Sequence, residues 1–145
     1  MLHLKYCFIM TVEELLHKYD LKNTGCRKFI LGEMLKSDTA QSENELKESY
    51  PDLFDRVTFY RTLKTLEERG IIHKIVLNDN SVKYALSGDH HADDHLHSHF
   101  HCEKCDDVLC LRSKTQFEAE LPQGFIMKEV FVIIEGVCAG CVAHS

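Results

Sequence analysis

The sequence predicts an α+β fold made of two small domains. The chain has 145 residues, and its 44% of apolar residues is enough for a packed core. Charge is unevenly distributed: residues 1–86 contain 13 basic and 13 acidic residues, whereas residues 87–145 contain 4 and 10, so the net charge of −6 lies in the second part. Five of the seven cysteines and seven of the ten histidines also follow residue 86. These contrasts predict a first domain over 1–86, a hinge over 87–95 and a second domain over 96–145.

Three capping sequences predict short helices in the first domain. Thr11 with Glu14, and Ser42 with Glu45, have the form of capping boxes. Thr24 precedes a run in which apolar residues recur at helical spacing. We therefore expect one helix after each of these capping residues.

A fourth helix is predicted to begin after Asp55 and to end at Gly70. We expect one face of this helix to point inward and the other to offer donor and basic groups. The expected inward residues are Val57, Tyr60, Leu63 and Leu66. The expected outward residues are Thr58, Phe59, Arg61, Thr62 and Thr65.

The apolar pattern changes after Gly70 from helical to β-like. Residues 71–77 and 82–86 predict two strands joined by a turn over 78–81. Helices followed by a two-stranded hairpin describe a winged helix-turn-helix, in which the N-terminal part of the recognition helix reaches base edges. Basic residues along the second and fourth helices suit phosphate contacts, although an ordinary solvated face is the alternative.

Two C-x2-C knuckles give the strongest chemical signal. Their thiolates, from Cys102, Cys105, Cys138 and Cys141, can form a closed tetrahedral shell that is typical of structural zinc. Iron is the alternative ion, because four thiolates also suit it. We expect a cytoplasmic protein, since no signal peptide or membrane span is evident, and disulfides are then disfavoured.

The region between the knuckles predicts a strand, a helix and a strand. These elements fall at residues 107–111, 113–121 and 124–135. The last run is long and apolar for an exposed edge strand. We therefore expect a second copy of the chain to cover it, which makes this half a dimerisation domain.

Six histidines between residues 90 and 101 predict a second metal site. His97, His99 and His101 alternate, so on a strand they would project from one face, and Cys110 could point at that face. Such a cluster can bind several divalent metals. A solvated, incidentally His-rich loop is the alternative reading.

Several motifs occur in one order over about residues 20–141. They are Thr58-Phe59-Tyr60-Arg61-Thr62-Leu63, Gly70-Ile71-Ile72, Ser81-Val82-Lys83-Tyr84, His97-Ser98-His99 and the two knuckles. In these motifs and their order, the chain resembles the ferric uptake regulator family of metal-dependent repressors. The resemblance implies a winged-helix domain, a dimerisation domain and a four-cysteine zinc site. It also implies DNA contacts by Tyr60 and Arg61, and by Lys22 and Arg27 near the second helix.

The sensing site implied by this resemblance departs from the family pattern. His97 and His99 carry over, but Ser98 replaces an aspartate and Cys110 occupies an acidic position. The longer segment before them could supply a substitute such as His91. The expected regulatory ligands are His97, His99, Cys110 and His91. This softer donor set favours Zn²⁺ over Fe²⁺ or Mn²⁺.

These observations predict a dimeric, metal-responsive transcriptional repressor of metal-homeostasis genes. It would bind a palindromic double-stranded DNA operator and no membrane. The expected DNA-binding residues are Lys22, Arg27, Thr58, Tyr60, Arg61 and Thr62. The alternative is a similar regulator that senses peroxide or acts independently of metal, with structural zinc alone. No enzyme is predicted, because no motif such as HExxH supplies a general base beside the histidines.

Overall fold

A computed structural model resolves the chain into two compact units, Met1–Gly88 and Asp89–Ser145. The structure describes residues 10–87, 96–111 and 118–144, and for residues 96 and 97 it describes the backbone alone. Among the described helices, none combines the length and apolar character needed to cross a membrane.

The first unit contains four helices followed by a hairpin. The elements are α1 (Val12–Lys18), α2 (Gly25–Lys36), α3 (Glu43–Lys47), α4 (Arg56–Glu68), β1 (Ile72–Val76) and β2 (Val82–Leu86). The capping predictions are confirmed, because Thr11, Thr24, Ser42 and Asp55 each accept a hydrogen bond from a backbone amide of the first turn. These side chains satisfy donors that the helix itself leaves unpaired, and so determine where each helix begins.

One apolar core holds the helices and the hairpin of this unit together. Its fully buried members are Leu16, Ile30, Leu31, Leu46, Phe59, Leu63, Leu66, Ile71 and Ile72. The hairpin strands are antiparallel, with Ile72 opposite Leu86 and Val76 opposite Val82. A bridge between Gln41 and Tyr84 connects the residues before α3 to β2. This arrangement is the predicted winged helix-turn-helix.

The predicted orientation of α4 is wrong at four positions, which are Val57, Phe59, Tyr60 and Thr62. Val57 and Tyr60 are each 57% exposed, whereas Phe59 is only 1% exposed. Leu63 and Leu66 are buried as predicted. The buried stripe therefore follows the spacing i, i+4, i+7 from Phe59, which is a continuous helical face. This orientation buries a phenyl ring and keeps the tyrosine hydroxyl in solvent, where it needs no buried partner.

The second unit contains a three-stranded sheet and a short helix. Its elements are β3 (Leu96–Cys102), β4 (Val108–Leu111), β5 (Val130–Gly136) and α5 (Ala139–Ala143). Strand β3 lies in the middle, antiparallel to β4 and parallel to β5. The strand predicted over 107–111 is confirmed as β4. The helix α5, which begins at the second knuckle, was not predicted from the sequence.

Two predictions for the region between the knuckles need correction. The strand expected over 124–135 is shorter: β5 pairs with β3 from Val130 opposite Leu96 to Gly136 opposite Cys102, and residues 124–129 lie outside the described strands. Of the helix expected over 113–121, residues 113–117 lie outside the described residues, and residues 118–121 are not helical. Pro122 disfavours a helical backbone at the residue before it.

The orientation of α4 can be tested by comparing two truncations. Phe59→Ala should lower the free energy of unfolding by about 3–5 kcal/mol, because it opens a cavity in the core. Val57→Ala should change it by less than about 0.5 kcal/mol, because its side chain is exposed. Urea unfolding followed by helical circular dichroism measures both values. A larger loss for Val57→Ala than for Phe59→Ala would contradict this orientation.

Candidate metal centres and nucleic-acid interface

The two knuckles bring four sulfur atoms together. Cys102 ends β3 and Cys105 lies in the following turn, while Cys138 caps α5 and Cys141 lies within it. The four Sγ atoms lie within 4.8 Å of one another, and those of Cys105 and Cys138 are 3.8 Å apart. A tetrahedron with Zn–S bonds of about 2.3 Å has S–S edges of about 3.8 Å. The cluster therefore has a suitable size for one tetrahedral ion.

Backbone amides stabilise negative charge at this cluster. Cys138 donates its amide hydrogen to Cys102 Sγ at 3.3 Å, and Cys141 donates to Cys138 Sγ at 3.4 Å. Hydrogen bonds from the amides of Cys138 and Cys105 lower the pKa of Cys102 to about 6. The Asp107 amide lowers the pKa of Cys105, but burial and hydrogen bonds with the neighbouring thiols outweigh it and raise that pKa to about 12. A bound cation is needed for all four sulfurs to be thiolates at neutral pH.

A close approach between β5 and β3 sets the position of the second knuckle. Gly136 lies opposite Cys102, and its carbonyl accepts a hydrogen bond from the Glu103 amide at 2.8 Å. A Cβ atom at position 136 would come within 3.0 Å of the Phe100 ring. Only glycine therefore allows this contact without a shift of the ring.

His101 connects the segments that carry the two knuckles. Its Nε2 is 2.7 Å from Asp106 Oδ1, and its Nδ1 is 2.7 Å from Glu135 Oε2. Hydrogen bonds with Asp106 and Glu135 raise the pKa of His101, so both ring nitrogens can donate at once. Asp106 follows the first knuckle, and Glu135 precedes the second. The alternation of histidines predicts His101 as a metal ligand, but its ring bonds with two carboxylates instead. Spacing in the sequence does not reveal Glu135 as a partner, because only the strand register brings it to His101.

His99 and Cys110 form a second, smaller donor group in this unit. They are directly opposite in the β3–β4 register, and their ligand atoms lie within 4.8 Å of each other. His99 is 3% exposed, and burial raises the pKa of Cys110 to about 11. A metal that binds here must displace the thiol proton. An imidazole with a thiolate suits zinc better than manganese.

For the other two expected regulatory ligands, His97 and His91, the structure does not describe the side chain. The backbone of His97 lies on β3 opposite Phe131, but its side chain is outside the description. His91 lies outside the described residues. Both assignments remain predictions.

The exposed face of α4 carries three basic residues. The exposed residues in its first three turns are Arg56, Val57, Thr58, Tyr60, Arg61 and Lys64. Four of these, at positions 57, 60, 61 and 64, have the spacing of neighbours on one side of a helix. Positive charge on an exposed helix face is suited to the phosphates that flank a DNA groove.

The expected DNA-binding residues of α4 have different environments. Tyr60 and Arg61 are exposed. The Thr58 hydroxyl donates to Asp55 Oδ2 at 2.6 Å, so it completes the helix cap. Thr62 is 9% exposed and donates its hydroxyl to the Thr58 carbonyl at 2.8 Å. The expectation for Thr62 is therefore corrected: it lies on the core side of the helix and does not belong to the exposed face.

The two expected residues near α2 are linked to each other. Lys22 is exposed in the loop before α2. Arg27 is half-buried, and its Nη1 donates to the Lys22 carbonyl at 2.9 Å. Arg27 therefore holds the loop from which the Lys22 ammonium extends.

Comparison with known proteins finds relatives in sequence and in structure. The model of the Ferric uptake regulator family matches residues 18–133. The Ferric uptake regulation protein of Campylobacter jejuni is 28% identical over 138 residues, which cover 89% of this chain and 85% of that protein. The protein of the same name from Campylobacter upsaliensis is 30% identical over 102 residues, covering 67% and 62%. A solved structure of a zinc uptake regulator complexed with zinc and DNA gives a TM-score of 0.63 at 25% identity, covering 91% of each chain.

The connection made by His101 predicts an effect on metal release. His101→Ala should speed the loss of the ion from the four-cysteine cluster roughly tenfold, because it removes the two hydrogen bonds that join Asp106 to Glu135. Asp106→Asn should release the ion at close to the wild-type rate, since the amide oxygen of asparagine can still accept a hydrogen bond from His101 Nε2. A chromogenic chelator measures the release, and the exposed His144→Ala is the control. Equal rates for His101→Ala and His144→Ala would contradict this role.

Proposed function

Because this chain belongs to the ferric uptake regulator family of metal-responsive transcriptional regulators, we propose that it represses transcription as a homodimer when a second metal ion binds at His99 and Cys110. Members of this family are regulators and not enzymes. The observation that carries the proposal is the presence of two distinct donor groups in one unit: a complete four-sulfur cluster and a separate histidine–cysteine pair.

The four-cysteine cluster is the permanent zinc site in this proposal. Four thiolates fill the tetrahedral shell of the ion, so no position is left for substrate or water. When bound, zinc would offset two of the four thiolate charges and would cross-link the end of β3 to α5. The proposed function of this zinc ion is therefore to stabilise the second unit. The sensing pair depends on that stability, because His99 lies on the same strand as Cys102.

The pair of His99 and Cys110 is the core of the proposed sensing site. Two ligands hold a metal less tightly than a closed shell, and further ligands complete the site; His97 and His91 are our proposals for them. The donor chemistry favours Zn²⁺ over Fe²⁺ and Mn²⁺ as the signal. Metal binding would favour the dimer conformation whose recognition helices match the operator, because a ligand shifts the equilibrium toward the state that it binds more tightly.

The exposed face of α4 is the surface that we propose contacts the bases of the operator. Tyr60 and Arg61 would reach base edges in the major groove, and Lys22 and Arg27 would contact or support contact with phosphates. Strand β5 supports a dimer for two reasons. It lies at the edge of the described sheet, and its apolar residues Phe131 and Ile134 are 61% and 42% exposed. A twofold dimer presents two recognition helices, which suits a palindromic operator.

Substitutions in the proposed DNA interface should have two distinct effects. Arg61→Ala should weaken operator binding about 5- to 150-fold and relax specificity, as expected for loss of a base contact. Lys22→Ala should weaken binding to all duplexes and reduce the salt dependence by about one unit, as expected for one phosphate contact. Fluorescence anisotropy at several salt concentrations measures both, with the exposed Lys128→Ala as control. Wild-type affinity in both variants would reject this interface.

The sensing site can be tested by titrating the protein that already holds one zinc per chain. Cys110→Ala and His99→Ala should each weaken binding of a second Zn²⁺ at least tenfold, with the first zinc retained. Cys110→Ala should also reduce the preference for Zn²⁺ over Mn²⁺, because it removes the soft donor. The matched control is His144→Ala. Unchanged affinity in Cys110→Ala would exclude it as a ligand.

Weak chelators distinguish sensing by metal from the alternative. A chelator that removes only the second ion should abolish operator binding by the wild-type protein, and added Zn²⁺ should restore it. Operator binding that is unchanged by the chelator would instead support a regulator with structural zinc alone. Loss of binding on treatment with peroxide would support peroxide sensing.

A further inference from the structure

Val57 is an exposed apolar residue at the start of the proposed recognition helix. It is the second residue of α4, and 57% of it is exposed. Valine is a poorer helix former than alanine, because its branched side chain loses freedom against the preceding turn. Helix propensity and core packing therefore give no reason for a valine at this position.

The groups around Val57 favour the approach of DNA. Arg61 is four residues along the helix and on the same side, and Arg56 precedes Val57; both are exposed. The nearest carboxylate along the chain is that of Asp55, which accepts hydrogen bonds from the Thr58 amide at 2.9 Å and the Thr58 hydroxyl at 2.6 Å. That carboxylate is exposed and negatively charged, but these bonds hold it in the helix cap. The two charged side chains nearest Val57 within the helix, Arg56 and Arg61, are both positive.

The chemistry of valine selects one kind of base contact. Its side chain has no hydrogen-bond donor or acceptor, so it can distinguish bases in the major groove only by apolar contact. Among the four bases, only thymine presents a methyl group there. The branched side chain is also stiff, so little freedom is lost when it makes this contact.

We infer that Val57 is a specificity-determining residue that packs against the C5 methyl group of a thymine in each operator half-site. This inference rests on the proposed function, because it requires α4 to enter the major groove. It adds a base contact by Val57, a residue whose position in the sequence predicts an inward side chain but which is exposed.

Replacing thymine by uracil tests the contact, because uracil lacks only the methyl group. The operator is first selected from random duplexes with the metal-loaded, full-length protein. Each thymine of one half-site is then replaced in turn. At one position, uracil should weaken binding of the wild-type protein about fourfold, the effect of one buried methyl group. Val57→Ala should weaken binding to the thymine duplex and show no further loss with uracil at that position.

Two controls separate the contact from general effects. Val142→Ala makes the same change at a valine that is 58% exposed in the second unit, and it should retain the uracil effect. Urea unfolding of Val57→Ala establishes that α4 is intact. If Val57→Ala keeps the full uracil effect at every thymine, or if the wild-type protein has none, the inference is overturned while operator binding stands. If no operator is selected, the proposed function fails and this inference fails with it.

Discussion

Repulsion among four cysteine sulfurs is the constraint on which the second unit depends. The sulfurs of Cys105 and Cys138 are 3.8 Å apart, a distance at which ionised thiolates need a cation between them. Their convergence requires the end of β3 to lie beside the residues that lead into α5. The parallel pairing of β3 with β5, the close contact at Gly136 and the ring of His101 all act on this junction. Strand β3 in turn carries His99, so the proposed sensing site depends on the same junction.

The two donor groups of this unit differ in how completely they surround an ion. Four thiolates form a closed shell, which binds tightly and leaves no position for exchange. His99 and Cys110 supply two donors, and the thiol of Cys110 keeps its proton at neutral pH until a metal displaces it, because burial raises its pKa to about 11. One unit can therefore hold a permanent ion for stability and a second ion that responds to concentration.

The helix α4 uses one face for packing and leaves the other for the proposed DNA contacts. Phe59, Leu63 and Leu66 anchor one side in the core, while Tyr60 and Arg61 lie on the exposed side. The anchored side gives the exposed residues a rigid base, which a contact with specific bases requires. The same division explains why Thr62, next to Arg61 in sequence, takes no part in the exposed face.

Local signals in the sequence determined the helices and the hairpin of the first unit and the four sulfur ligands of the zinc site. Helix starts follow from Thr11, Thr24, Ser42 and Asp55, because capping involves residues three apart in the chain. The four cysteines could be assigned by spacing, because each knuckle is a local turn. Only the tertiary structure decided which face of α4 is buried, because helical spacing allowed a stripe through Val57 as well as one through Phe59. It also decided that His101 bonds with Glu135 and that His99 faces Cys110, because strand register depends on pairing between residues distant in sequence.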